Sequence, residues 1–428
     1  MIQLLHRFLE HRSIFIPILI VIIVGVFGGF MAAAVLSVLI LLFSKKNRLE
    51  FLFTLAIFTF FLADNYRGIF SFMQNFRFVL LGISIIYLLK YKLIQNNNAN
   101  YLILFTIIAF GITLLFSPLG FAAVIRSVAF WVVGLVLFKL ANLLYLSNIK
   151  RASELFVLIL VLYFSVNLIL VFLPILEVYL MGRFKGLAGN PNGLALITMF
   201  SYALLHLIDE RKDTTFKKSF FLAFKMGLFF MVFLSGSRTA LFSMIAFECI
   251  VRLINNKPLL LISLGSFAFL YVLVNSIGTD SLIEYLGFSD YLRVESLSSA
   301  SGRTDVWPVA WEEIKNAPWF GRGILYDDYF MKDYVARYVG ENAARQWGGV
   351  WSSYLSLLLD VGVIGCLAYA YFWIQVFRKS HYKNTAIAFI ILCFLSGITE
   401  SWMAASMNAF TPLMFLFWAI QSQPATNK

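Results

Sequence analysis

The chain has 428 residues, 61% of them hydrophobic and only 13% charged, and its formal net charge is +12. Soluble domains carry about 25% charged residues, so this composition excludes an ordinary soluble protein. Apolar runs of bilayer length recur from end to end, which predicts an all-α polytopic membrane protein. The basic excess does not indicate nucleic-acid binding, because most lysines and arginines stand in short clusters between the apolar runs, as membrane topology requires.

The first apolar run, Ser13 to Phe43, is longer than one transmembrane helix needs. Gly25, Gly28 and Gly29 interrupt it, so it is either one helix of excess length or two short helices in a tight hairpin. Basic residues precede and follow the run. Because cytoplasmic connections carry the excess of lysine and arginine, both ends of the run are predicted to be cytoplasmic, which favours the pair.

Twelve further apolar runs are candidate spans, and several are short for a bilayer. In chain order they are Phe51–Ala63, Val79–Leu93, Tyr101–Phe116, Ala122–Leu144, Leu155–Pro174, Leu194–Leu207, Ser219–Leu234, Ala240–Leu253, Leu259–Ile277, Ser352–Phe377, Ala386–Ile398 and Met403–Ile420. They predict about 12 to 14 transmembrane helices. The three cysteines lie in such runs at no metal-ligand spacing, so we interpret them as packing residues and predict neither a metal nor another cofactor.

Every second connection between the spans is a basic cluster, which places both termini in the cytoplasm and the remaining connections outside. Residues 278–350 form one outer connection that is far longer than an ordinary loop and is therefore expected to be functional. We predict an amino-terminal transmembrane bundle (1–277), this large outer loop with short helices (278–350), and carboxy-terminal transmembrane helices (351–428). The tail from Gln421 to Lys428 is expected to be disordered.

Two polar turns stand at predicted outer ends of spans. In the first, Gly186 to Gly193, either Asn190 or Asn192 is expected to cap the following helix, and a helix start preceded by glycines is also a ready anion site. In the second, Ser235 to Ala240, Arg238 must lie at membrane depth or at its outer surface. A snorkelling arginine is the ordinary interpretation, but the surrounding small polar residues favour a polar cavity.

The long loop contains a predicted amphipathic helix. Trp307, Ala310, Trp311 and Ile314 have the i, i+3, i+4, i+7 spacing of one apolar face, and Pro318 ends the pattern. The tryptophans predict that this helix lies on the membrane surface. Arg303 at its start is then a positioned cation, unless it is simply a solvated surface arginine.

Several cations converge on the predicted outer face, among them Arg126 near the end of an apolar span. The others are Arg67, Arg77, Arg183 and Lys185. Because arginine offers a bidentate fork that suits phosphate oxygens, we infer a site for an anionic amphiphile such as a phospholipid or a lipid diphosphate. The acids on this face are Glu400 and the pair Asp327 and Asp328, which could equally pair with an arginine for structural reasons.

Five short motifs, in this order, resemble the O-antigen ligase and O-antigen polymerase superfamily. They are Gly189–Asn192, Ser235–Ala240, Ser301–Trp307, Pro318–Gly323 and Ser353–Gly365. The resemblance implies a membrane glycosyltransferase of the bacterial inner membrane whose active site faces the periplasm. Its donor would be a glycan on undecaprenyl diphosphate, and its acceptor a second lipid-linked glycan or lipid A–core.

The family's functional arginines match Arg238 and Arg303, which the resemblance implies bind and neutralise the diphosphate leaving group. Glu400 is a further catalytic candidate. We expect the remaining substrate-binding residues in or beside the motifs, together with the outer arginine noted above. They are Arg126, Asn190, Asn192, Trp307, Arg322 and Tyr354.

One departure concerns the proton acceptor. Ligases carry a His-Asn pair before the Ser-Tyr-Leu segment, whereas Trp351 and Ser352 stand here. All four histidines are predicted at or near the cytoplasmic side. Either another acid such as Glu400 or Asp327 then serves as base, or the diphosphate leaving group suffices, or the protein is an atypical member of the family. The departure favours a repeat-unit polymerase, with a possible chain-length regulator as partner. A ligase and a lipid-linked glycan transporter are the alternatives.

Overall fold

The structure, a computed structural model, describes residues 2–44, 46–65, 68–95, 97–173, 178–254, 258–259, 303–339, 349–403 and 408–424. Before residue 255 the helices are α1 (Ile2–Glu10), α2 (Arg12–Phe43), α3 (Arg48–Ala63), α4 (Met73–Leu89), α5 (Ile103–Phe116, preceded by a 3-10 turn at Asn98–Leu102), α6 (Phe121–Ser147), α7 (Ile149–Phe172), α8 (Pro191–Arg211), α9 (Lys218–Ser235) and α10 (Arg238–Leu253). A two-residue hairpin, β1 (Tyr179–Leu180) and β2 (Arg183–Phe184), precedes α8.

After residue 302 the described helices are α11 (Arg303–Asn316), α12 (Tyr326–Tyr334, continued by a π-helical turn at Val335–Val339), α13 (Ser353–Arg378), α14 (Lys383–Thr399) and α15 (Thr411–Gln421). Seven of the described helices are long and apolar enough to cross a membrane, and α4, α14 and α15 are shorter apolar helices. The all-α polytopic class is therefore confirmed. The total of 12 to 14 spans stays a prediction, and the candidate span Leu259–Ile277 lies almost wholly outside the described residues.

Helix α2 reverses its direction at Gly29, where the backbone leaves the helical region at φ 74° and ψ −175°. Asn47, just after the helix, donates a hydrogen bond of 2.8 Å to Ser13 at its start. In a straight helix those residues would be about 50 Å apart, so the two halves must fold back on each other. The prediction of a tight pair of helices between Ser13 and Phe43 is confirmed.

Helix α13 has a second interruption of the same kind at Gly362, with φ 60° and ψ −169°. The rings of Tyr354 and Trp373, on opposite sides of this glycine, both contact Phe394 of α14, with centroid distances of 6.4 and 5.9 Å. A straight helix would hold Tyr354 and Trp373 about 28 Å apart. The first two turns of α13 therefore fold back along the rest of the helix.

The interruption at Gly362 is filled by the backbone of another predicted motif, Pro318–Gly323. Four backbone hydrogen bonds join the two segments: Arg322 N to Leu359 O (2.8 Å), Gly323 N to Asp360 O (2.7 Å), Val363 N to Pro318 O (2.9 Å) and Ile364 N to Trp319 O (3.1 Å). We call the two segments, Pro318–Gly323 and Leu359–Ile364, the motif junction. It satisfies backbone groups that the break in α13 would otherwise leave unpaired, and it fixes the long loop on the bundle.

The centre of the bundle is formed by α8 and α15, whose side chains are buried on nearly all sides. Helix α8 packs against α9, α10 and α15, and α15 also packs along α6. Aromatic rings fill the space between α14 and α15, where Phe389 and Phe417 stack at 3.6 Å. This apolar centre holds the ends of the surrounding helices in fixed register.

All the described motifs lie at one end of the bundle, which we call the motif end. Here α3 ends at Ala63, α8 begins at Pro191, α9 ends at Ser235, α10 begins at Arg238 and α14 ends at Thr399. At the opposite end, buried Arg211 pairs with Asp213 at 2.5 Å and donates to the carbonyl oxygens of Ile420, Gln423 and Pro424.

The tail from Gln421 was expected to be disordered, and these contacts at Arg211 correct that expectation for its first residues. Residues 421–424 of the tail are held on the bundle, and Gln423 also donates to Asn142 at 2.7 Å. The order arises because the guanidinium of Arg211 needs several acceptors once it is buried.

Two predicted helices differ from the structure. The last span was expected to begin at Met403, but α15 begins at Thr411, whose N–H donates to the side-chain oxygen of Asn408 at 2.8 Å. In α11 the buried face consists of Val306, Ala310 and Ile314, which pack against α12 and α13. The predicted apolar face was therefore rotated: Trp311 is 48% exposed and Trp307 only half-buried.

Candidate functional site

The start of α8 is built from the Gly-Asn-Pro-Asn motif. Asn190 is the N-cap residue, and its side-chain oxygen accepts from the Gly193 N–H at 2.8 Å. Pro191 follows at the first helical position, where its missing N–H costs nothing. The structure thus assigns Asn190 the capping role that the sequence left open between Asn190 and Asn192.

Asp64 at the end of α3 closes the same turn. Its carboxylate accepts from the Gly189 N–H at 2.8 Å. A Cβ atom at Gly189 would lie 2.1 Å from the Asp64 carbonyl oxygen, so only glycine fits there. Burial raises the pKa of Asp64, although the hydrogen bond from Gly189 opposes that shift. The Gly-Asn-Pro-Asn turn is therefore fixed to α3 by contacts within the protein itself.

Asn192 bridges a cation and an acid. Its side-chain oxygen accepts from Arg183 Nη2 at 2.6 Å, and its side-chain nitrogen donates to Glu400 Oε1 at 2.8 Å. Arg183 also donates from Nε to the carbonyl oxygen of Ser235 at 2.7 Å. The structure therefore brings together Asn192 and Glu400, two of the predicted site residues, and adds Arg183. We call Arg183, Asn192 and Glu400 the polar relay.

Arg238 is the first residue of α10 and is half-buried beside the relay. The preceding turn positions it: Gly236 has φ 61°, and its neighbour Ser235 accepts from Arg183. The next residue, Thr239, shares a hydrogen bond of 2.6 Å with Thr399, which precedes Glu400. Thr239 and Thr399 thus form a direct contact between α10 and α14. Arg238 is the sequence neighbour of Thr239, and Glu400 is the sequence neighbour of Thr399. Arg303 is the first residue of α11, and its side chain lies outside the described part.

A polar cavity of about 190 Å³ adjoins the relay. Its polar lining residues are Arg126, Asp327, Asp328, Ser353, Ser356, Asp360 and Ser401. They come from α6, α12, α13 and the turn after α14. Arg126 is in the second turn of α6, which agrees with its predicted position near a helix end. Among the described residues no group of three or more His, Cys, Asp or Glu side chains is arranged to hold a metal ion.

Ser353 connects the cavity with the relay. Its hydroxyl donates to the Glu400 carbonyl oxygen at 2.6 Å and accepts from the N–H groups of Trp402 (2.9 Å) and Met403 (3.3 Å). Ser356, one turn later, shares a hydrogen bond of 3.0 Å with Ser401. The folded-back start of α13 thus fixes the turn that carries Glu400.

The three carboxylates of the cavity differ in their surroundings. Asp360 accepts from the N–H groups of Leu325 (3.1 Å) and Asp327 (3.0 Å) and so caps the start of α12. Burial and the neighbouring charge of Asp328 raise the pKa of Asp327 to about 6, against the opposing effects of a hydrogen bond from Ser356 and the charge of Arg126. Asp328 is exposed. Only Asp327 combines partial access with a pKa near neutrality.

The other predicted substrate-binding residues have structural contacts. Arg322 pairs with Glu313 of α11 at 3.5 Å, and Tyr326 donates to the same carboxylate at 2.7 Å. The Tyr354 hydroxyl donates to the Phe394 carbonyl oxygen at 2.7 Å. Trp307 donates to the Val350 carbonyl oxygen at 3.1 Å, and its ring lines an apolar groove with Trp311 and Leu355. Their binding roles stay predictions.

Trp351, which stands where ligases carry histidine, has φ 53° and is 37% exposed. A bulky side chain in the left-handed region is a strained conformation. Two of the four histidines can be located away from this position. His206 is near the carboxy-terminal end of α8, and His381 donates its N–H to Gln421 at the opposite end of the bundle.

Sequence reasoning missed part of the site. Arg183 was only one of several converging cations, and Ser353, Ser356, Asp360 and Ser401 were not proposed. Ser353, Ser356 and Asp360 stand within the Ser-Tyr-Leu-x4-Asp motif, at spacings that place them on a short helix before a glycine. That spacing was the available signal.

Comparison with known proteins gives one result of consequence. Residues 223–370, about a third of the chain, match the family model described as O-antigen ligase. Four of the five motifs lie inside the matched region, and only Gly189–Asn192 precedes it. The match confirms the resemblance to the O-antigen ligase and polymerase superfamily. No curated protein matches the chain.

Proposed function

We propose that this membrane protein, which carries the domain of the O-antigen ligase and polymerase superfamily, polymerises oligosaccharide repeat units carried on undecaprenyl diphosphate. The reaction would take place at the periplasmic face of the bacterial inner membrane and contribute to O-antigen or a related surface polysaccharide. It needs no cofactor, because cleavage of the bond between the donor sugar's anomeric carbon and its diphosphate drives the transfer.

The observation that carries this proposal is the convergence of the motifs on one polar site. The relay of Arg183, Asn192 and Glu400 and the cavity that contains Arg126 share the turn around Ser353 and Ser401. Cations at the ends of apolar helices suit a substrate whose charge lies at the membrane surface and whose tail lies in the lipid. A lipid diphosphate has this character.

Arg238 and Arg303 are proposed to hold the diphosphate. As the bond between the anomeric carbon and the diphosphate oxygen lengthens, negative charge grows on the leaving group, and preorganised cations stabilise that charge. Arg238 is anchored at the start of α10, where the helix dipole also favours an anion. Arg303 has the corresponding place at the start of α11.

Glu400 is proposed as a catalytic carboxylate whose position the relay controls. Asn192 donates to Glu400 and accepts from Arg183, so one amide connects the arginine with the acid. This arrangement fixes the position of the Glu400 side chain. An ionised carboxylate beside the anomeric carbon would stabilise positive charge that develops on the sugar.

A polymerase is preferred to a ligase because Trp351 replaces the histidine that ligases use as base. The description of the matching family, O-antigen ligase, favours the second candidate: transfer of the finished glycan to lipid A–core. A transporter of lipid-linked glycans, the alternative from another class, would require no arginine to act at a diphosphate bond. The three differ in their products.

Analysis of the glycan ladder separates these candidates. In cells without the gene, a polymerase defect leaves single repeats on lipid A–core, a ligase defect leaves a full ladder on the carrier, and a transport defect leaves substrate on the cytoplasmic side. We expect the first result. Arg303→Ala should reproduce it with normal protein in the membrane, and Arg238→Lys should reproduce it in part, because a point charge replaces a fork. Arg337→Ala, a surface change in the same loop, should leave the ladder intact.

A further inference from the structure

We infer that the cavity between α6, α12 and α13 is the subsite for the attacking sugar hydroxyl of the acceptor glycan, and that Asp327 takes the proton from that hydroxyl. The inference rests on the proposed glycosyl transfer and adds to it the acceptor subsite and the base. Neither the position of Trp351 nor the four histidines provide such a group.

The size of the cavity suits part of one sugar. The cavity has a volume of about 190 Å³. That is room for the hydroxyl-bearing edge of a terminal residue, whereas an oligosaccharide would have to extend outside. The cavity is therefore suited to select one end of the acceptor.

The chemistry of the lining also suits a sugar. Carboxylates and hydroxyls in a small cavity offer the acceptors and two-way hydrogen-bonding groups that sugar hydroxyls require. Ser401 and Ser356 share a hydrogen bond of 3.0 Å, and Ser356 in turn contacts the Asp327 carboxylate. This chain of hydroxyls leads from the residue after Glu400 to Asp327, so it connects the proposed donor side with the proposed base.

Among the acids near the site, Asp327 has the surroundings of a proton acceptor. Asp360 already accepts two backbone N–H groups, and Glu400 is coupled to Arg183 through Asn192. Asp327 faces the cavity with Arg126 from α6, Asp328 from its own helix and Asp360 from α13. Burial and the charge of Asp328 raise its pKa to about 6, a value at which it is mostly ionised at pH 7 yet binds a proton well.

The proposed step is balanced. The acceptor hydroxyl oxygen forms a bond to the anomeric carbon of the donor sugar while the bond from that carbon to the diphosphate oxygen breaks. The electron pair of the broken bond leaves with undecaprenyl diphosphate. The proton of the hydroxyl moves to the Asp327 carboxylate, which releases it to solvent before the next transfer.

The test is transfer by the purified full-length protein in proteoliposomes that contain a lipid-linked repeat unit as both donor and acceptor. Asp327→Asn, which keeps the shape and can still accept from the Asp328 N–H, should lower the rate by about 100-fold or more with little change in KM. Asp327→Glu should restore part of the rate. Asp333→Asn, the same change on the same helix at a residue paired only at the surface with Arg337, is the matched control and should keep the wild-type rate.

The pH dependence of the transfer rate separates a role of Asp327 as base from a purely structural role, because only a base would determine where the rate falls. Because Asp327 must be ionised, the wild-type rate should fall as the pH drops through about 6. Asp328→Asn removes a neighbouring negative charge that raises the pKa of Asp327, so it should move this acid limb to lower pH.

The outcomes distinguish the inference from the proposed function. If the wild-type protein transfers glycan and Asp327→Asn does so at an equal rate, or if Asp328→Asn leaves the acid limb in place, the inference about Asp327 is wrong while the glycosyl transfer stands. If the wild-type protein transfers no glycan from the lipid-linked donor, the proposed function itself is wrong.

Discussion

Asn192 holds the site together at the scale of single residues, because one amide is in contact with both Arg183 and Glu400. Asn192→Asp would place a second carboxylate against Glu400 and remove the donated hydrogen bond. We expect a loss of transfer activity of at least about tenfold, since leaving a partly buried charge without its donor costs about 1–3 kcal/mol. The measurement is the rate of transfer in membranes with equal amounts of protein. An unchanged rate would contradict a role for the relay.

Asn190, two residues before Asn192, is expected to behave differently. As the N-cap of α8 it can be replaced by aspartate with little change, whereas Asn190→Ala should lower stability by about 1 kcal/mol. The midpoint of thermal aggregation in detergent would show this difference. Equal midpoints for the two variants would mean that the cap bond to Gly193 does not stabilise the helix.

The residues of the relay show how far sequence reasoning reaches at this scale. The Asn-Pro-Asn turn predicted a cap and an anion site because cap chemistry is local. The partners of Asn192 could not be predicted, since Arg183 is on a short hairpin and Glu400 on the turn after α14, and only the packing of α8, α10 and α14 brings them together. The side-chain contacts of Arg322 and Tyr354 could not be predicted for the same reason, because they also depend on tertiary packing.

At the scale of elements, the motif junction depends on Gly362. Its φ of 60° lies in the left-handed region, and a Cβ atom there would lie 2.4 Å from the Trp319 carbonyl carbon. Gly362→Ala should therefore lower stability by about 2 kcal/mol or more, with loss of transfer. Gly227→Ala is the matched control: that glycine has open space around it inside α9, and alanine should be neutral or stabilising. Similar midpoints of thermal aggregation for both variants would argue against a tight junction.

The hairpin of α2 makes a second prediction for an element. Because Ser13 and Asn47 are in hydrogen-bond contact, the double variant Ser13→Cys, Asn47→Cys should form a disulfide on mild oxidation in membranes. A control pair, Ser13→Cys with Ser37→Cys, should not form a disulfide. Ser37 lies more than a helical turn from Asn47 along the second half of α2, towards Gly29. A cross-link in the control pair alone would place the reversal somewhere other than Gly29.

The sequence predicted the positions of most helices. Of the two interruptions, it predicted the one in α2 but not the one in α13. Apolar length and flanking basic residues located most spans and favoured the reversal in α2. The reversal in α13 was not predicted, because Ser352–Phe377 has the apolar length of one ordinary span. Its glycine becomes a break only when the loop segment Pro318–Gly323 supplies hydrogen-bond partners. The apolar face of α11 was rotated in the prediction because periodicity does not tell which neighbour a helix meets.

At the scale of the whole molecule, the motif end is proposed to face the periplasm. A cysteine placed at Ser401 in the cavity should react with a membrane-impermeant maleimide added to cells with a permeable outer membrane. A cysteine at Lys212, which follows α8 at the opposite end, should react only after the inner membrane is opened. The reverse pattern of labelling would invert the topology and rule out a periplasmic site.

The central claim is that this end of the bundle transfers glycan from a lipid diphosphate. Proteoliposomes with the purified protein and a single lipid-linked repeat unit test it most directly, with the products separated by length. We predict a ladder of lengthened glycans for the wild-type protein and only single repeats for Arg238→Ala. Glycans that stay at one repeat with the wild-type protein, or a full ladder in the absence of the Arg238 side chain, would contradict the account.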